Sequence, residues 1–171
     1  MPTFERLHAG RHAVVAAVCQ PDRRRGRGRK LSPAPVAERA LEAGVPLLRP
    51  ERVGAPEVAE ELRAFEADLG VVVAFGQFLP RRVREGPKLG YLVNGHASLL
   101  PRHRGAAPIA HAILAGDPET GISVMRVERE MDAGAVAHTR RTPIGPEETC
   151  GELTERLAGL CADAIEEALD E

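Results

Sequence analysis

Short apolar runs alternate with amphipathic stretches along this chain. His12 to Cys19 and Leu69 to Phe75 are rich in apolar residues, the pattern of strands buried on both faces of a sheet. Val45 to Leu48 and Tyr91 to Asn94 are shorter strand candidates, the second ending at Gly95. Gly121 to Val127 alternates like a strand, and Ala135 to Arg140 can pair beside it. Helices fall between them. Thr3 to Ala9 is a short one ended by Gly10, and Val36 to Ala43 has Gly44 where a helix C-terminus favours glycine. Ala55 to Ala67 has a proline and acids in its first turn, and Gly105 to Ala115 is closed by Gly116. Gln20 to Pro35 is polar, basic and contains Gly and Pro, which predicts a loop outside the core.

The last helix carries the strongest start signal. Thr149 and Glu152 have capping-box spacing, in which each side chain satisfies a backbone N–H left free at the helix start. Leu153, Leu157, Leu160, Ala164 and Ile165 then form one apolar stripe. Helices alternating with fully apolar strands predict a single α/β domain with a largely parallel, Rossmann-like sheet flanked by helices. Such sheets bind ligands outside the carboxyl ends of their strands. Here those ends are Phe75-Gly76-Gln77, Asn94-Gly95-His96 and Val127 to Asp132.

Composition narrows the partners more than the fold. The 171 residues suit one domain and can bury a sizeable core. A net charge of -2 excludes polyanion binding by the whole surface, so any nucleic-acid contact needs a local patch. One exists: Arg23, Arg24, Arg25, Arg27, Arg29 and Lys30 place six cations in eight residues, with Gly26 and Gly28 between them. Such a segment can neutralise several phosphates, and the lack of interleaved aromatics argues against base stacking. No apolar run approaches the ~20 residues that cross a bilayer, and the first residues lack a signal-peptide pattern. Cys19, Cys150 and Cys161 are odd in number and widely spaced, which fits a reducing cytoplasm and neither a disulfide framework nor a zinc site. The six histidines show no ligand spacing with Cys or acids, so no metal is expected.

Asn94 and His96 are two residues apart at a predicted strand end. If the strand persists through both, their side chains share one face. Asp132 lies in the turn Met131-Asp132-Ala133-Gly134 after another strand. An amide, an imidazole and a carboxylate suit acyl transfer to an amine: the amide and a protonated imidazole can stabilise an oxyanion, the imidazole can move a proton, and the carboxylate can orient the ring. On spacing alone, a structural histidine and a turn aspartate remain the alternative.

The surrounding residues change that balance. Asn94-Gly95-His96-Ala97-Ser98-Leu99-Leu100-Pro101, followed by Arg104-Gly105-Ala106-Ala107-Pro108-Ile109 and by Asp132-Ala133-Gly134, resembles the signature of the folate-dependent formyltransferases. Ala115-Gly116-Asp117-Pro118-Glu119-Thr120-Gly121 is similar as well, and the resemblance covers nearly the whole chain. It implies that Asn94, His96 and Asp132 are catalytic and that 10-formyltetrahydrofolate is the formyl donor. It also implies a folate pocket lined by Phe75, Gly76, Gln77, Phe78, Leu79, Leu92, Val127, Arg129 and Met131. Three branches act on glycinamide ribotide, on an aminosugar nucleotide, or on methionyl-tRNA. Arg104 to Ile109, with Gln20-Pro21-Asp22-Arg23 and the basic segment, is most similar to the methionyl-tRNA branch. There the matching loop contacts the acceptor arm, so initiator methionyl-tRNA is the expected acceptor and partner.

In that branch a first strand and a Gly-Thr-Pro-type loop precede a helix similar to Met1 to Leu7, and a C-terminal barrel follows. The resemblance therefore implies a single catalytic domain, residues 1 to 171, lacking both. It is expected to be a cytoplasmic monomer. Two other readings stay open: a non-catalytic remnant that binds folate or RNA weakly, and a formyltransferase for an aminosugar nucleotide or other small amine.

Overall fold

A computed structural model gives the fold, with residues 1–25 and 30–170 described. In chain order its elements are α1 (Pro2–Ala9), β1 (Ala17–Val18), β2 (Arg23–Arg25), β3 (Lys30–Ser32), α2 (Pro35–Glu42), β4 (Leu47–Leu48), α3 (Pro56–Ala64), β5 (Gly70–Val72), α4 (Arg81–Arg84), β6 (Leu92–His96), α5 (Pro108–Leu114), β7 (Glu119–Arg126), β8 (Val136–Pro143) and α6 (Cys150–Asp170). Proline opens α1, α2, α3 and α5, where its missing N–H has no intrahelical acceptor to lose and its fixed φ already suits the helix.

The α/β class holds, with a mixed central sheet in the order β5-β6-β7-β8. Only its β5–β6 pair is parallel; β6–β7 and β7–β8 are antiparallel. The short connection from β7 to β8 is a hairpin, which cannot reverse the chain twice to make a parallel neighbour. β7 is buried from Thr120 through Met125, so its sequence alternation does not mark a solvent face. Ile122 and Val124 face α6, whereas Ser123 bonds to Ser98 and Leu100 across the opposite face.

The α6 stripe fills the first of these faces. Leu153, Leu157, Cys161, Ala164 and Ile165 pack with Val93, Ile122 and Val124 in one cluster, with Leu160 at its margin. Leu153, Leu157 and Ile165 are each at most 1% exposed, and burying a side chain of that size contributes roughly 1.5–3 kcal/mol. The expected capping box forms: the Thr149 N–H donates to Glu152 Oε2 at 2.9 Å, and the Glu152 N–H donates to Thr149 Oγ1 at 3.3 Å. Thr149 thereby holds the Glu152 carboxyl below the usual carboxylate range. On the outside of α6, Arg6 of α1 pairs with Asp163 at 2.7 Å and Glu166 at 3.0 Å.

Two expectations change. The predicted strand over His12 to Cys19 shrinks to Ala17–Val18, because a ladder needs a neighbour and β4 supplies only Leu47 and Leu48. The predicted loop over Gln20 to Pro35 contains a hairpin instead: β2 and β3 pair antiparallel, with Arg24 opposite Leu31. Backbone groups carry that ladder, so polar side chains do not forbid it. The hairpin's base is held by Arg49, which donates to both Asp22 carboxylate oxygens at 2.9 and 3.0 Å.

The β1–β4 pair is a sheet of its own, backed by α2 through Ala17, Ala40 and Val45. At its carboxyl end, side chains join it to β5. Gln20 Nε2 donates to the Phe75 carbonyl at 2.8 Å, and Gln77 Nε2 donates to Gln20 Oε1 at 3.3 Å and to the Pro50 carbonyl at 3.2 Å.

This split predicts uneven stability. Amides of β1 and β4 should exchange with solvent at least ~10-fold faster than those of Ile122 to Met125, because they lie in a two-strand ladder and not in a doubly buried strand. Hydrogen exchange read by NMR checks this, and equal protection in the two regions would show that the pieces open as one unit.

Candidate active site

Strand alternation on β6 builds the site. A Cβ on Gly95 would lie 2.5 Å from Cys161 Sγ and 3.0 Å from Ile165 Cδ1, so Gly95 and Val93 belong to the α6 face. Leu92, Asn94 and His96 therefore point to the other face. The strand does persist through His96, because β7 pairs with all three of its last residues: Asn94 opposite Met125, Gly95 opposite Val124 and His96 opposite Ser123. The expected shared face for Asn94 and His96 is thus real.

Asp132 arrives by a longer route than a parallel strand would give it. Because β7 is antiparallel to β6, its carboxyl end lies beside Val93, away from His96. The chain leaves the sheet after Val127, whose N–H donates to the Leu92 carbonyl at 2.8 Å, and rejoins it where Arg126 N–H donates to the Ala135 carbonyl at 2.9 Å. A Cβ on Gly134 would overlap the Arg126 carbonyl, so only glycine lets the excursion close this tightly. Between those points the segment doubles back until Asp132 Oδ2 stands 3.5 Å from His96 Nδ1. Asp132 itself has φ +50°, the left-handed conformation that aspartate tolerates better than most residues.

At 3.5 Å the Asp132 to His96 contact is an ion-pair distance and not a hydrogen bond. The same oxygen accepts the Gly105 N–H at 2.8 Å, so Asp132 also ties down the loop leading to α5. His96 Nε2 lies 3.0 Å from the His103 carbonyl. A carbonyl only accepts, so Nε2 carries a hydrogen. The imidazole is 7% exposed, with an acceptor opposite each nitrogen. Asn94 is half-buried, and its amide makes no hydrogen bond to another side chain or backbone group among the described residues. It is the polar group of the three left open to a ligand.

The residues expected to line a heterocycle divide into two groups. Phe75, Leu79, Leu92 and Val127 belong to one apolar cluster with Val53, Val72 and Val83, on the face that carries Asn94. Phe78 and Met131 are each 69% exposed, and Arg129 is exposed too, so these lie outside that floor. Gly76 has φ +78° and turns the loop after β5. Gln77 has its amide taken up by neighbouring loops: Oε1 accepts the Val53 N–H at 2.8 Å, while Nε2 donates to the Pro50 carbonyl and to the Gln20 side-chain oxygen. Its geometry is that of a staple between loops, a role that its position in a strand-end motif did not disclose.

Of the basic segment, Arg23, Arg24 and Arg25 lie in β2 and Lys30 in β3, whereas Arg27 and Arg29 lie outside the described residues. Sequence reasoning missed Ser98, Ser123, His103 and Asp117, which hold the loop over His96. Ser123 Oγ donates to the Ser98 carbonyl at 2.8 Å and accepts the Leu100 N–H at 3.1 Å. Ser123 is a polar residue set between the apolar Ile122 and Val124, the one sequence feature that marks it. Two shallow grooves, one bordered by Pro118 and Pro143 and the other between α1 and α6, lie away from this chemistry. Among the described residues, no group of three His, Cys, Asp or Glu side chains is placed to hold a metal.

Comparison with known proteins places the chain in a family. The profile described as "Formyl transferase" matches residues 2–169. A methionyl-tRNA formyltransferase of Synechococcus sp. (strain WH7803) is 48% identical over 99% of this chain and 50% of its own length. That of Methylococcus capsulatus is 50% identical over 99% of this chain and 54% of its own. The chain thus spans about half the length of the curated relatives it matches. Among solved structures, phosphoribosylglycinamide formyltransferase from Bacillus halodurans superposes with a TM-score of 0.81 at 22% identity, covering 98% of this chain and 86% of that one. Glycinamide ribonucleotide transformylase 1 from Geobacillus kaustophilus gives 0.80 at 26% identity, covering 98% and 88%. From profile, relatives and fold together, the chain belongs to the formyl transferase family.

Proposed function

We propose that this chain transfers a formyl group from 10-formyltetrahydrofolate to the amino group of methionine esterified to initiator tRNA. What supports the reading is the Asn94 amide, without a hydrogen-bond partner among the described residues, on the strand face it shares with His96 and with Leu92, whose side chain belongs to the apolar cluster of Phe75, Leu79 and Val127. Apolar walls with few polar groups suit a flat heterocycle such as the donor's pterin. The amine nitrogen bonds to the formyl carbon, and the carbonyl electron pair moves onto oxygen. Asn94 N–H and protonated His96 stabilise that oxyanion. When the pair returns, the bond to the donor nitrogen breaks; that nitrogen gains a proton and the new amide loses one. Asp132 supports the charged ring during the transfer.

The relatives' names and the cations of Arg23 to Lys30, which suit phosphates, support this acceptor. A cytoplasmic monomer is the matching state. No described helix is long and apolar enough to cross a membrane.

The direct test is formylation of charged initiator tRNA by this chain and its variants. Asn94→Ala should lower kcat by about 10²–10³-fold, the scale for loss of one oxyanion donor. His96→Ala and Asp132→Ala should also cripple turnover, with donor affinity little changed. Near-normal turnover in His96→Ala sinks this assignment.

Replacing Arg24, Arg25, Arg27 and Arg29 with Ala should weaken tRNA binding and flatten its salt dependence, since each phosphate no longer neutralised takes roughly 0.7–0.9 off the log–log slope. Donor binding should stay as it was. A salt slope identical to that of the unsubstituted chain would mean that these arginines touch no phosphate.

A further inference from the structure

Asp117 lies in the turn from α5 to β7 and is 9% exposed. Its carboxylate is shared by two neighbours from one segment. Oδ2 faces His103 Nε2 at 2.7 Å, and Oδ1 accepts from the Arg102 guanidinium. The His103 bond, helped by Arg102, holds the carboxyl below the usual carboxylate range, so it accepts and His103 Nε2 donates. The Asp117 N–H donates to the Ala112 carbonyl at 3.0 Å, fixing the carboxylate to the end of α5.

His103 has φ +52°, a left-handed conformation that non-glycine residues hold only where their surroundings fix it. Its ring turns outward to Asp117 and stacks on His111, with centroids 6.4 Å apart and planes 8° from parallel. Its carbonyl turns inward to His96 Nε2 at 3.0 Å. Other bonds secure the ends of this segment: Ser98 Oγ donates to the Arg102 carbonyl at 2.6 Å, and Gly105 N–H donates to Asp132. Neither grips the His103 ring. Asp117 does.

We infer that Asp117 is a positioning residue for His96: by holding the His103 ring it aims the His103 carbonyl at Nε2, which fixes the hydrogen on that nitrogen and turns Nδ1 toward Asp132. Asp117 stays outside the reacting groups and acts through one residue's backbone. The consequence for turnover rests on the formyl-transfer reading; the consequence for the His96 ring does not.

Spectra of the chain with ¹⁵N-labelled histidine report which nitrogen of each ring carries hydrogen. The unsubstituted chain should show His96 with hydrogen held on Nε2. Asp117→Asn should abolish or average that signal and lower kcat roughly 10–100-fold, with the donor KM changed by less than about 2-fold, as expected when a reacting group is slightly misplaced. Asp117→Glu should recover part of both. Arg102→Gln, which removes the other partner of the carboxylate and leaves the His103 bond, should keep the His96 signal. His103→Phe retains a ring that cannot bond Asp117 and should reproduce Asp117→Asn; it also serves if Asp117→Asn does not fold. An unchanged His96 signal in folded Asp117→Asn or folded His103→Phe overturns the inference. So does loss of the fold in both, which would make the pair purely structural. A shifted signal in proteins that never formylate tRNA supports the positioning role and removes the proposed function instead.

Discussion

Between Asn94 and His96 the strand has no room for a side chain. α6 approaches so closely that a Cβ on Gly95 would collide with Cys161 and Ile165, and the rest of the site depends on that approach. It seats the strongest apolar stripe of the chain directly behind the residues on either side of Gly95. It also sends Leu92, Asn94 and His96 together to the opposite face by alternation alone. Burial pushes the Cys161 thiol up to about 11, so this cysteine behaves as a small apolar group in the contact and not as a nucleophile.

The front of the strand is finished by two loops that lock into each other. Residues 97–105 cover His96 and present a carbonyl to Nε2; residues 127–134 return from β7 and bring a carboxylate toward Nδ1. The Gly105 to Asp132 bond joins the two loops. His96 is thereby held from both sides while Asn94, two residues earlier, remains open. An imidazole held by its surroundings is the kind of fixed donor that oxyanion stabilisation uses under the proposed function, and Asn94 beside it would be fixed only by a ligand. Asp117 extends the same logic one step outward, through the ring of His103.

Much of this was legible in the sequence because it is local. The capping box at Thr149, the stripe beginning at Leu153 and the proline in the first turn of α3 all depend on neighbours within a few residues, and each formed as expected. The shared face of Asn94 and His96 followed from strand period once the strand was known to continue. What stayed hidden depends on partners distant in sequence. The length of β1 is set by β4 and not by its own apolar run. The hairpin of β2 and β3 rests on backbone bonds that side-chain polarity does not report. The antiparallel course of β7, and so the route of Asp132 back to His96, could not be read from an alternating apolar run. The employment of Gln77 as a staple depends on Pro50, Val53 and Gln20, which its own loop does not mention.

The central claim is that the face of β6 bearing Leu92, Asn94 and His96 is where the formyl donor lies. Titrating the ¹⁵N-labelled chain with tetrahydrofolate that carries no formyl group tests this without requiring turnover or tRNA. The account predicts saturable shifts in the Asn94 side-chain amide and in the backbone amides of Phe75, Leu92 and Val127, with α6 residues on the reverse of the sheet unmoved. Shifts confined instead to the groove at Pro118 and Pro143 or to that between α1 and α6 would contradict it.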